Sequence, residues 1–154
     1  MEFGQKKNAL VAITLLSVFG ILFAMVSLVN HYYFRTYGLD LGLYTNALYD
    51  YIHFHSNDST FFLANSCNLL ADHFDLYLML FSPLVLLFGS YTLLVIQIVT
   101  VLMGMWGMYR LAGLYTNKGW LPLAAMLMVG LSFGVWHALA FDYHSNVVAA
   151  MMLP

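Results

Sequence analysis

The chain has 154 residues, of which 62% are hydrophobic and only 8% are charged, with a formal net charge of −2. Soluble domains carry about 25% charged residues, so this composition excludes a soluble globular class. With so little charge and no basic stretch interleaved with aromatics, it also excludes a nucleic-acid surface. Cys67 is the single cysteine, which rules out an intrachain disulfide and a cysteine-based zinc site.

Taken in chain order, the first apolar run covers 8–30, long enough to cross a bilayer as a helix at about 20 residues. Lys6 and Lys7 precede it, as in a secretory signal, but the run is too long for one and no Ala-x-Ala-like cleavage site follows. It is predicted to be a retained anchor. His31-Tyr32-Tyr33-Phe34-Arg35 then forms an aromatic cluster of the kind found at headgroup level. In 41–54, Leu41, Tyr44, Leu48, Tyr51 and Ile52 recur at helical spacing, which predicts an amphipathic interfacial helix. The polar stretch His55-Ser56-Asn57-Asp58-Ser59-Thr60 reads as a loop. Asn57-Asp58-Ser59 within it matches a glycosylation acceptor, a short pattern that matters only in a eukaryotic secretory pathway.

The apolar run 76–88 would rise only about 20 Å as a helix, against a hydrocarbon core of about 30 Å. Extending it backwards would bring Asp72, His73 and Asp75 into lipid. The cations decide its topology. With spans at 8–30, 91–113 and 120–140, Lys6, Lys7, Arg110 and Lys118 are cytoplasmic and only Arg35 is outside, as the positive-inside rule favours. The segment 73–88 is then an interfacial helix, kinked near Pro83, in a long outer loop 31–90. The fold class is an all-α membrane protein with three transmembrane helices and interfacial helices. Residues 146–154 open a fourth apolar run, so the chain is expected to be the N-terminal part of one larger polytopic domain in the cell membrane, with its N-terminus cytoplasmic. Asp40, Asp50, Asp58, Asp72, Asp75 and Asp142 all fall on the outer side in this arrangement.

Several stretches carry a family resemblance. They are Tyr33-Phe34-Arg35-Thr36-Tyr37-Gly38-Leu39-Asp40-Leu41-Gly42 through His73-Phe74, then Leu93-Leu94-Val95-Ile96-Gln97, Tyr109-Arg110-Leu111-Ala112 and Phe141-Asp142-Tyr143-His144. In order and spacing they resemble the bacterial and archaeal predicted membrane proteins grouped under domain of unknown function 2079. Two details depart from that pattern: Tyr44-Thr45-Asn46 stands where an aromatic, an acid and Gln are expected, and Asp75 follows His73-Phe74 in place of a small residue. The family is in turn similar to the GT-C class of integral-membrane glycosyltransferases, a fold-level analogy. The resemblance implies transfer of a sugar from a polyprenyl-phosphate-linked donor at the outer face, and it leaves room for a divalent cation as cofactor.

On that reading Asp40 is the catalytic residue, deprotonating an acceptor hydroxyl or helping to hold the cation. Its bland alternative is an N-cap of the helix at 41–54. His73, at the start of the short interfacial helix, would contact donor phosphate, as helix N-termini favour anions. Asp142 and His144 would form a wall opposite Asp40, or merely close an interfacial turn. Arg35 joins them as a substrate-binding residue, and membrane lipid is the remaining partner. His53 and His55 lack helical ligand spacing, and no metal site is assigned. Gln97 and His137 lie inside spans and are expected to be helix-packing hydrogen-bonders. The competing function is a non-enzymatic multi-span protein, such as a transporter portion or an envelope assembly factor, whose outer acids are simply solvated.

Overall fold

The structure is a computed structural model. It describes residues 2–36, 38–57, 68–72, 74–116 and 118–153, with side chains from Lys6 onward except that of Asp72. His73 and the stretch 58–67 lie outside the described residues.

Every regular element among them is helical: α1 (Glu2–Tyr32), α2 (Gly38–Ile52), α3 (Leu69–Asp72), α4 (Tyr77–Phe81), α5 (Val85–Phe88), α6 (Thr92–Tyr115), α7 (Trp120–Gly130), α8 (Phe133–Phe141) and α9 (Ser145–Met151). Three helical stretches are long and apolar enough to cross a membrane: Lys6–Tyr32, Tyr77–Tyr115 and Trp120–Phe141. The outward faces of the first and third are apolar too. Leu10, Ile13, Ile21 and Met25 on α1 and Met128 and Phe133 on the third are exposed, as expected of side chains that meet lipid rather than water.

The contacts set the three spans antiparallel. Asn8 on α1 approaches Gly119, just before α7. At the opposite end, the Asn30 side-chain amide donates to the Ala140 carbonyl at 3.2 Å. Lys6, Lys7, Arg110 and Lys118 therefore share one end of the bundle, and Arg35, Asp40, Asp75 and Asp142 share the other. The core follows the same division. Ala12, Phe19, Phe23, Val101, Met105, Met126 and Leu139 pack at mid-bundle between α1, α6, α7 and α8. Leu41, Tyr44, Leu48, Leu78, Leu93, Tyr143 and Val148 form a second cluster towards the acid-rich end.

The amphipathic helix forms as its pattern predicts: Leu41, Tyr44 and Leu48 are buried, while Asn46 and His53 are exposed. Its limits shift to Gly38–Ile52. It ends because Phe54 takes a left-handed φ of 58°, and the His53 ring donates to the Tyr49 carbonyl at 2.8 Å as a C-terminal cap. The expected helix over 73–88 is shorter and broken. α4 begins at Tyr77, a 3-10 turn holds Pro83, and α5 ends at Phe88. Proline lacks the N–H that an α-helix interior needs, which accounts for the change of winding there. Gly89, with φ 54°, then redirects the chain into α6. Tyr77–Phe88 alone would rise about 18 Å, short of a span.

The third span departs from the sequence expectation. It is interrupted at Leu131 and Ser132, near mid-bundle. Gly130 lies so close to Phe19 and Met105 that an added Cβ would clash with both. The interrupted backbone is partly satisfied locally: the Trp136 indole N–H donates to the Gly130 carbonyl at 2.8 Å, and the Leu131 N–H to Leu127 at 2.8 Å. His137 is exposed beside the Phe133 ring, so it does not serve as the buried packing contact expected of it.

This arrangement predicts a labelling pattern. In a Cys67→Ser background, Ser56→Cys should react with a membrane-impermeant thiol reagent from outside, and Lys118→Cys only after permeabilisation. Reaction of both from outside would mean that Tyr77–Phe88 crosses the bilayer by itself.

Candidate functional site

The acid-rich end gathers side chains from α2, from the segment before α4, from α6 and from the turn after α8. Asp40 is the third residue of α2 and is exposed; the helix starts before it, so it is a first-turn acid and not the N-cap of its alternative reading. A carboxylate there still suits the positive end of the helix dipole. Asp142 follows α8 and is fully buried, and neither carboxyl oxygen has a hydrogen bond of good geometry. Its pKa is pushed up from 3.8 to about 6, first by burial and then by the charge of Asp40. His144 and the Leu41 backbone N–H pull it the other way without winning. His144 Nδ1 stands 3.5 Å from Asp142 Oδ1.

Asp40, Asp142 and His144 are thus brought together from distant parts of the chain. A carboxyl buried with only the Leu41 N–H and a long contact to His144 beside it is costly to ionise. Its titration near neutral pH marks the kind of group found at functional sites.

A second layer supports it. The Tyr44 hydroxyl donates to Asp75 Oδ2 at 3.1 Å and lies 3.4 Å from Ser145 Oγ. The Tyr77 and Tyr143 hydroxyls are 2.7 Å apart, and the Tyr44 and Tyr143 rings meet edge-on at 5.1 Å. Burial pushes the Tyr44 and Tyr143 phenols far up, so both remain neutral donors. From α6, the buried Gln97 amide donates to the Asp142 carbonyl at 3.0 Å and accepts from the His144 N–H at 2.6 Å. Gln97 is a hydrogen-bonder, as expected, but of a turn rather than of another helix.

Arg35 belongs to a neighbouring feature. Its guanidinium lies 5.5 Å over the Tyr33 ring. Beside it, a cleft of about 540 Å³ is lined by His31, Tyr32, Tyr33, Phe34, Ser90 and Tyr91. His31 ties the end of α1 to the turn before α6, with its two ring nitrogens 3.0 Å from Thr36 Oγ1 and 3.0 Å from Ser90 Oγ. Sequence reasoning named none of His31, Asp75 and Gln97 as a site residue. Only the polar outlier in an apolar span, Gln97, offered a usable signal.

Asn57 is 2% exposed. Its amide donates to Asn46 Oδ1 and Asp50 Oδ2, both at 2.9 Å, and its carbonyl oxygen accepts from the Leu69 N–H at 3.1 Å. A side chain so enclosed is a structural link between α2 and α3, and not the glycan acceptor its tripeptide suggested. Among the described residues no three His, Cys, Asp or Glu side chains converge as a cation site. Calcium and magnesium take about six or more oxygens, a set that the described residues do not bring together here.

The family described as predicted membrane protein (DUF2079) matches residues 30–154. The chain belongs to this family. The match begins at the end of α1 and takes in the whole acid-rich end. No curated protein and no solved structure matches the chain.

Proposed function

We propose that this family member is the N-terminal portion of an integral-membrane enzyme that transfers a sugar from a lipid-phosphate carrier, GT-C-like in layout, with the acid-rich end outside the cell membrane. The observation that supports this most is the pairing of an exposed acid with a buried one that titrates near neutral pH. On this reading Asp40 takes the proton of an acceptor hydroxyl. As the acceptor oxygen bonds to the anomeric carbon, the bond from that carbon to the carrier phosphate breaks and the phosphate leaves with the electron pair. Asp142 exchanges a proton near the operating pH, where general acid–base groups work best. His144, Arg35 and His73 contribute to phosphate binding on this reading.

The competing reading as a transporter portion has one feature in its favour, the interruption of the third span at mid-bundle. That turn is flanked by Met128, Leu131 and Phe133, all exposed and apolar, and offers little to coordinate a solute.

The complete protein in liposomes should transfer labelled sugar from a polyprenyl-phosphate donor to an acceptor. On this reading the 154-residue chain alone should not. Turnover by the isolated chain would contradict the fragment reading, and an inert complete protein would contradict the enzyme.

A further inference from the structure

We infer that Gln97 is the positioning residue of the acid pair: its single carboxamide grips the chain on both sides of Tyr143 and thereby holds the Asp142 carboxyl in its dry pocket against the first turn of α2. The geometry carries this. Gln97 is completely buried in the second turn of α6, its N–H donates to the carbonyl of Asp142, and its oxygen accepts from the N–H of His144. Those two backbone groups lie in a non-helical turn between α8 and α9. Asp142 itself has the extended backbone angles φ −171° and ψ −135°. Without Gln97 the two groups would be left buried and unpaired at the edge of the membrane, which a chain avoids by moving. The turn has other ties, the Tyr143–Tyr77 hydroxyl contact and the Asn30–Ala140 hydrogen bond, but neither acts on the backbone of Asp142.

The groups facing the Asp142 carboxyl are Asp40 and the Leu41 N–H from α2 and His144 from its own turn. Released from Gln97, the carboxyl would swing towards water and behave as an ordinary acid. The inference rests on the acid-pair reading for its purpose only, and its test reads the environment of the carboxyl whether or not any sugar is transferred.

The probe is dicyclohexylcarbodiimide, an apolar reagent that modifies protonated carboxyls in dry surroundings, applied to the purified chain in detergent at about pH 5 and followed by peptide mass spectrometry. Wild-type Asp142 should be modified. Gln97→Leu, which keeps the bulk and loses both hydrogen bonds, should reduce that modification about ten-fold, the change in protonated fraction on returning to the ordinary Asp range. Gln97→Glu should retain most of it at this pH, because a neutral carboxyl can both donate and accept in the same place. Should Gln97→Leu fail to assemble, Gln97→Asn takes its role, being one methylene too short to reach both groups. Wild-type labelling in the Leu or Asn variant would overturn the inference, and so would an equal loss in the Glu variant, since core packing alone would then explain it.

Discussion

Asp40→Asn in the complete protein should lower sugar transfer by about 10²–10⁴-fold, the usual cost of removing a general base. Expression and membrane insertion should be nearly unchanged. Asp40 is exposed, and as a first-turn acid it contributes no more than about 0.3–1 kcal/mol to α2 through the helix dipole. Asn keeps the shape and loses the charge. Asp40→Glu, which restores a carboxylate at a slightly different reach, should recover part of the rate. The measurement is initial rate at saturating donor for the three proteins, alongside their abundance in the membrane. Near-normal turnover in Asp40→Asn would take the residue out of the mechanism and weaken the case for an enzyme.

The second large effect concerns stability and pH. Asp142 has a folded pKa of about 6 against an ordinary value of 3.8, so between those values the folded chain holds a proton that the unfolded chain releases. Stability contributed by this group is therefore fully present below about pH 4. It declines as pH rises through 6 and is level above that. The ionised carboxylate in its dry pocket costs about 3 kcal/mol at neutral pH. Asp142→Asn should abolish this dependence. Other groups titrate in the same range, so the informative quantity is the difference between the two chains in detergent thermal unfolding. That difference should favour the variant progressively from about pH 4 to 7. A constant offset across the range would show that the carboxyl is hydrated in the folded protein.

Much of this was legible in the sequence where one physical force dominates. Apolar length marked the three spans, cation placement set the ends that the Asn8–Gly119 and Asn30–Ala140 contacts join, and helical spacing marked the buried face Leu41, Tyr44, Leu48. The meeting of Asp40 with Asp142 was legible through family resemblance alone, since no local pattern links residues so far apart. The burial of Asp142 was not legible at all. Asp142-Tyr143-His144 reads as a solvated turn, and what dries it is the closure of α2 and α6 around it. The interruption at Leu131 and Ser132 escaped for a related reason. The run is almost wholly apolar, and the close approach of Phe19 and Met105 to Gly130 beside the break is a tertiary feature with no local signal. The enclosure of Asn57 was equally hidden, because a tripeptide match carries no information on accessibility.

The turn held by Gln97 also bears on how the protein is made. Asp40 lies before the second span, Gln97 within it and Asp142 after the third, so the three residues enter the membrane at separate moments of synthesis. Gln97 finds the Asp142 carbonyl and the His144 N–H only once the end of α8 lies against α6. The acid pair comes into being as the hairpin of α6, α7 and α8 closes beneath α2. A chain whose third span inserts the wrong way round would have Asp142 on the opposite side of the bilayer and no pair at all. Correct topology is thus a condition for the acid pair to form at all.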